Sequence, residues 1–274
     1  MKRVVLNAAS AVRRLLPARR SPAARPGDRL ELVGPFADWA SAVQVSRGYD
    51  HPAILERVLT ASRAVRDGHA VYERDSFLFD TIQYAWPMLS GLLWVAAREG
   101  GRLRVMDIGG SLGSSWFQNR RYLSRLSDVA WGVVEQPSFV AVGQREFEVG
   151  PLRFFDRIDA CVAAVQPDVV LLSGSLPFFE HPWAMLDEIV ASPARYLLID
   201  RTPFSSRDDD DIMVEHVPPE IYPASYACRI FSESKFRAWA EPHFEVIETF
   251  DALDAIPTPL PARWQGLLLA RRDR

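Results

Sequence analysis

Residues 105–117 read VMDIGGSLGSSWF, and the fold turns on them. LRVMDI (103–108) is an apolar run of strand length carrying Asp107 near its end. Glycines follow at 109, 110 and 113, and SSWFQNRRYLSRL (114–126) then reads as a helix. Glycines let a backbone turn tightly and approach a ligand closely, and the start of the next helix offers unbonded amides. A dinucleotide fingerprint would need GxGxxG. Counted back from Gly113 and Gly110, its first glycine falls on Ile108, so the pyrophosphate pattern is broken and Asp-x-Gly-x-x-x-Gly stands in its place.

Outward from this stretch, strand-length apolar runs alternate with helical ones. VAWGVVE is a strand and PSFVAVGQREF a helix; LRFF a strand and DACVAAV a helix; VVLLS a strand and HPWAMLDEIV a helix; YLLID a strand. This rhythm builds a parallel sheet with helices on both faces, an α/β fold. The second strand ends in Glu135, 28 residues after Asp107. An acid there accepts hydrogen bonds from vicinal ribose hydroxyls, in nicotinamide enzymes as in others. After Asp200 the alternation stops, and residues 201–230 read as one long loop. SESKFRAWA is a further helix, and FEVIETF and WQGLLLARR are two last strands.

Before Arg102 the pattern is helical. Short amphipathic character runs from Asp38 to Ser46. Pro52 suits the first turn of a helix over His51–Arg66, with apolar residues at helical spacing. A helix capped by Asp75 or Ser76 is expected through Tyr84, with Pro87 as its breaker, then another over Met88–Arg98. The chain thus divides into a tail and linker (1–30), a helical N-terminal region (31–101) and an α/β core (102–274) with a long loop at 201–230.

Composition narrows the function classes. The 274 residues are 48% hydrophobic and 24% charged, with a net charge of −3. That is ordinary globular composition and lacks the basic footprint of a nucleic-acid binder. Cys161 and Cys228 are too few for a disulfide framework or a four-cysteine zinc site. No apolar run is long enough to span a bilayer, so a cytoplasmic protein is expected. The tail differs: residues 1–30 hold eight Lys and Arg against Asp28 alone. It reads either as a disordered basic tail or, from the apolar positions Val5, Ala9, Val12 and Leu16, as a basic helix lying on an anionic membrane surface through residues 1–20. The acidic run Asp208–Asp211 reads as a solvated loop, because adjacent acids cannot all converge on one ion; no metal is expected.

The strings GYD, ERDS, YAWP, DIGGSLGSSWFQNR, VVEQ, IDRTPF and VPPEIYPASY carry a resemblance that runs from about residue 34 to the C-terminus. Asp-x-Gly-x-x-x-Gly resembles the first motif of class I methyltransferases that use S-adenosylmethionine (SAM), and the whole set resembles a family of bacterial methyltransferases defined mainly from sequence. The resemblance implies a Rossmann-like seven-stranded sheet whose last strand inserts antiparallel between the fifth and sixth. It implies SAM as cofactor, bound by the core 102–274 through Asp107, Gly109, Gly110, Ser111, Gly113, Glu135, Gln136 and Ser173, with residues 31–101 as a helical lid contributing Arg74 and 201–230 as an acceptor loop. It also implies O-methylation of a small molecule or a sugar or glycan intermediate.

Transfer to a hydroxyl or amine needs alignment and a proton acceptor. His181, past the fourth strand, is the candidate base. Arg201 is a candidate clamp for an acceptor carboxylate or phosphate. Gln118, His216, Tyr222 and Tyr226 are candidate acceptor contacts. Two other functions fit parts of the pattern: a nicotinamide-dependent sugar-modifying enzyme, and a SAM-binding subunit without catalysis. The former wants a Tyr-x-x-x-Lys base, and Lys2 and Lys235 are the only lysines.

Overall fold

The computed structural model describes residues 30–48, 52–74, 76–217, 224–253 and 255–272. The basic tail, Asp75 and Tyr222 lie outside these, and with them the expectations placed on them.

The core is the expected βα alternation. Strand β4 (Arg102–Ile108) leads to α4 (Ser114–Leu123), and β5 (Asp128–Val134) to α5 (Pro137–Glu146). Then come β6 (Leu152–Phe155) with α6 (Ile158–Val165), β7 (Val169–Ser173) with α7 (Pro182–Ala191), and β8 (Tyr196–Ser205). Beyond β8 come α8 (Glu233–Ala240), β11 (Phe244–Asp251) and β12 (Ala262–Arg271). The spatial order β6-β5-β4-β7-β8-β12-β11 is parallel except for β12, which pairs antiparallel with both β8 and β11. The last strand therefore sits between the fifth and sixth of the core, as expected for a Rossmann-like methyltransferase sheet.

Both faces of this sheet are buried, which explains the unbroken apolar runs. Val105, Leu171 and Leu198 join one apolar cluster with Leu89, Leu92 and Phe139 from the helices on that face. Their neighbours Met106, Leu172 and Ile199 join another with Leu186, Ile189 and Phe236. Alternate residues of each strand thus serve opposite faces.

Two expectations are corrected. First, residues 201–230 are not one loop. Strand β8 continues through Ser205, and β9 (Asp211–Val217) and β10 (Ala224–Ser232) form an antiparallel pair. Together with β1 (Glu31–Phe36), which pairs with β9, they extend the sheet from β8 to ten strands among the described residues. No alternation is legible because residues on both sides of β9 and β10 are buried, including Glu215, Ser225 and Ser232.

Second, the N-terminal region is not purely helical. Helices α1 (Trp39–Val45), α2 (Pro52–Arg66) and α3 (Trp86–Arg98) are present, and the Asp38 side chain caps α1. In place of the helix through Tyr84 there is a hairpin of β2 (Tyr72–Arg74) and β3 (Phe77–Phe79). Ser76 adopts a left-handed φ of 67°, which a helix does not tolerate, and Tyr72 stacks on Phe79. Pro87 starts α3 rather than breaking an earlier helix.

The acidic run is partly structural. The Asp209 side chain is 90% exposed, but that of Asp210 is 3% exposed. Asp210 accepts hydrogen bonds from Trp183 Nε1 (3.0 Å), the Ser232 amide (2.9 Å) and Arg229 (3.3 Å). It therefore ties α7, β10 and the α8 start together. Asp210→Ala strands a largely buried guanidinium and two further donors. A loss of about 2–4 kcal/mol is expected in urea denaturation, since broken buried networks cost that much.

Candidate functional site

A cavity of about 1080 Å³ lies over the carboxyl ends of the core strands. In open α/β sheets that is where ligands bind. Its floor is Ile108–Ser111 after β4, Glu135 and Gln136 after β5, Asp156–Ile158 after β6, Ser173–Ser175 after β7, and Asp200 and Arg201 in β8. Its cover is Tyr72–Arg74 with Phe77 and Phe79 of the hairpin, Glu215 and Val217 of β9, Tyr226 of β10, and Ile256 and Trp264 near β12.

The glycine loop is shaped by what it touches. A Cβ on Gly110 would lie 2.5 Å from Cγ of Asp107, so the loop rests directly on that carboxylate. At Gly109, where φ is +73°, a Cβ would meet Ser175 Cβ at 2.5 Å. Ser175 Oγ donates to the Ile108 carbonyl at 2.6 Å, stitching the tip of β7 to that of β4. Ser111 also takes a left-handed φ, 55°. Gly113 caps α4 in the left-handed region and packs on Leu152, away from the cavity wall.

Two carboxylates anchor the floor. Asp107 is almost wholly buried and accepts a bond from Trp131 Nε1 at 3.1 Å. Burial pushes it up to about 7, with the Glu135 charge adding in the same direction and the Trp131 bond opposing. Glu135 is partly open to the cavity but deep below the protein surface, and burial raises it too. Its Oε1 accepts the Ser111 amide at 3.3 Å and its Oε2 the Gln136 amide at 2.8 Å. Each oxygen keeps a further lone pair, so the carboxylate is oriented and still able to receive two hydroxyl donors.

The hairpin closes over this floor. Glu73, which is buried, accepts from Ser114 Oγ at the first turn of α4 and from the Ser76 amide at 3.3 Å. Arg74 donates to Gln83 Oε1 at 3.1 Å and lies over the Phe79 ring. Gln118 donates to the Gln83 carbonyl.

Of the sequence candidates, Asp107 lies beneath the loop, and Gly109, Gly110, Ser111, Glu135, Gln136, Ser173, Arg74, Gln118, Arg201 and Tyr226 all line the one cavity. The two histidines do not. His181 sits at the start of α7 with its side chain 81% exposed, 3.9 Å from Glu180. His216 is exposed on β9, while its neighbours Glu215 and Val217 face the cavity. Alternation along a strand sends it to the other face. Arg201 has a left-handed φ of 52°, and its guanidinium crosses the bare Cα of Gly174. A residue other than glycine is uncommon in that conformation.

Sequence reading missed Asp156 and Ile158, which lie between the strand LRFF and the helix DACVAAV, although an acid after the third strand was the available signal. It missed Glu215 as well, which lay in the stretch taken for a loop, whereas the loop Ser173–Phe179 after the fourth strand reads as ligand-facing from the sequence, and its Ser175 and Phe178 line the cavity.

In fold the chain is similar to several solved structures. The 1,6-didemethyltoxoflavin-N1-methyltransferase of Burkholderia thailandensis, solved with 1,6-didemethyltoxoflavin and S-adenosylhomocysteine, is 18% identical; the match covers 88% of this chain and 93% of that one, at a TM-score of 0.41. The N-terminal domain of EvdMO1, solved with S-adenosylhomocysteine and D-fucose, is 16% identical over 83% and 98%, at 0.45. The magnesium protoporphyrin IX methyltransferase of Synechocystis PCC 6803, solved with SAM, is 13% identical over 79% and 97%, at 0.46. No family model matches the chain, and no curated protein matches it.

The raised Asp107 makes stability depend on pH. Between the ordinary value of 3.8 and about 7 the folded state holds a proton that the unfolded chain has released. Stability therefore falls as pH rises through that window. Asp107→Asn is expected to flatten this slope in urea titrations at pH 4.5 and 7, leaving a remainder from Glu135, which is shifted the same way. An unchanged slope refutes the assignment. Separately, Gly110→Ala drives a methyl into the Asp107 carboxylate and is expected to cost about 1–3 kcal/mol of stability in the same assay, as overpacking does.

Proposed function

We propose that this protein is a SAM-dependent methyltransferase acting on a small molecule or a glycan-linked intermediate, with a hydroxyl as the methylated group. The observation that carries this reading is the Glu135 carboxylate, held by the Ser111 and Gln136 amides beside a loop that presents bare glycine backbone. A dinucleotide site would add a glycine at position 108, where isoleucine stands. The motif set 73–76, 107–120, 133–136 and 199–204 supports the same reading through its resemblance to a bacterial methyltransferase family.

In this reading Glu135 receives the two ribose hydroxyls of the cofactor. Asp156 receives the exocyclic amine of adenine, and Val134 and Ile158 supply apolar contact for the base. The backbone of Gly109–Ser111, with Ser173 and Arg74, surrounds the amino-acid end. Asp107 acts through the loop it supports. The bound cofactor would supply an electrophilic methyl group on a sulfonium that is already a good leaving group. What remains for the protein is to align the acceptor, exclude water and take a proton. The hairpin is assigned the covering role, through Glu73 on Ser114. Gln118, Arg201 and Tyr226 are assigned to the acceptor side. His181 and His216 have no part, because their side chains lie outside the cavity. The cavity volume lies just above the roughly 300–1,000 Å³ range of small-molecule sites, which suits a cofactor and an acceptor together.

Glu135→Gln tests the reading by calorimetry with S-adenosylhomocysteine. Losing the charge behind two hydrogen bonds should weaken binding at least about 30-fold, since bonds to charged groups contribute roughly 1.5–3 kcal/mol each. NADH should not compete. Unchanged affinity in the variant, or displacement by NADH, sinks it.

A further inference from the structure

With the histidines outside the cavity, the methyl-transfer reading sends the proton to one of the carboxylates that line it. Glu215 is the one buried carboxylate that β9 contributes to the cavity wall. The Tyr226 hydroxyl, on the paired strand β10, donates to Glu215 Oε1 at 3.2 Å. Such a bond fixes the direction of the carboxylate. Tyr226 in turn meets Phe178 edge to face, with ring centroids 5.3 Å apart. Phe178 belongs to the turn Leu176–Phe178, immediately after the Ser173–Ser175 tip of β7. These contacts set the Glu215–Tyr226 pair beside the turn that follows the tip of β7.

The surroundings describe what sits against this pair. Val217, Phe178 and Trp264 line the same cavity, and Trp264 is held by its Nε1 bond to the Ile256 carbonyl at 3.0 Å. Rigid aromatic and branched walls with one oriented carboxylate favour a flat apolar body that offers a proton. They disfavour a carboxylate or phosphate facing Glu215, because like charges repel more strongly inside a protein than in water.

We infer that Glu215, braced by Tyr226, is the proton acceptor of the reaction, and that the acceptor molecule is a hydroxyl or amine carried on a flat apolar body rather than an anion. This rests on the methyl-transfer reading. As the lone pair of the acceptor oxygen or nitrogen forms its bond to the methyl carbon, the carbon–sulfur bond breaks and its electrons stay on sulfur. The proton of the O–H or N–H passes to the Glu215 carboxylate and from there to water. Tyr226 is a positioning residue.

The test uses the full chain saturated with S-adenosylhomocysteine and three matched probes read by fluorine NMR: 4-fluorobenzyl alcohol, 4-fluorobenzylamine and 4-fluorobenzoate. The alcohol and amine should bind, and the benzoate should bind at least about tenfold more weakly, the equivalent of one unfavourable charge contact. Glu215→Gln should weaken the amine about tenfold or more, and Tyr226→Phe should shift it the same way by less. Both variants should keep wild-type affinity for S-adenosylhomocysteine, which a merely structural fault would not. The inference is overturned by benzoate binding as tightly as the amine, which would assign the subsite to Arg201. It is equally overturned by no probe binding, or by an amine affinity indifferent to Glu215→Gln. If the wild-type chain does not bind S-adenosylhomocysteine at all, the methyl-transfer reading falls and takes this inference with it. Cofactor binding with the wrong probe pattern removes this inference alone.

Discussion

The site depends on one buried carboxylate. Asp107 sits at the end of the central strand, receives the Trp131 indole from the next strand, and supports Gly110 at a distance that leaves no room for a side chain. Any residue other than glycine would lift the loop, and a lifted loop would move the Ser111 amide off Glu135. The cost is desolvation of an acid, visible in its raised proton affinity. A buried polar group with a fixed partner and a fixed neighbour specifies geometry where an apolar residue would only fill space.

Around that point the molecule is layered. The α/β half supplies the floor, and its strand tips are stitched together by Ser175 on Ile108 and by the Gly109 amide on the Val134 carbonyl. The additions supply the cover. The β2–β3 hairpin reaches α4 through Glu73, and the β1-β9-β10 extension brings Glu215 and Tyr226 over the opposite side. Floor and cover are chemically unlike: the floor is glycine backbone and strand-end acids, and the cover is aromatic with a few buried charges.

Much of this was legible in the sequence, and the reasons are local. The strand-glycine-helix stretch at 105–117 shows because backbone geometry there admits few residue types. The βα alternation shows because each strand is apolar on both faces. Glu135 shows as a cavity residue because a side chain at the carboxyl end of a strand in such a sheet faces the ligand crevice. The hairpin at 72–79 was hidden because Ser76 turns the chain in a conformation its residue type does not announce. Strands β9 and β10 were hidden for a different reason. Their polar residues Glu215, Ser225 and Ser232 are buried by tertiary neighbours, so the alternation that marks a half-exposed strand is absent. The histidines misled because proximity in sequence to a strand tip says nothing about which way a side chain leaves the chain.

The placement of β12 has a consequence for how the molecule comes into being. β8 is finished by residue 205, yet its neighbour on one side is residues 262–271, and β1 waits for β9 at 211–217. A ribosome releases the chain from its N-terminal end. The nascent polypeptide must therefore carry an unpaired β8 edge, and later an unpaired β11, until the final strand emerges. Contacts so distant along the chain close slowly. The apolar stretch LLLA of β12 is both the piece that seals the sheet and the piece for which the half-made sheet remains adhesive.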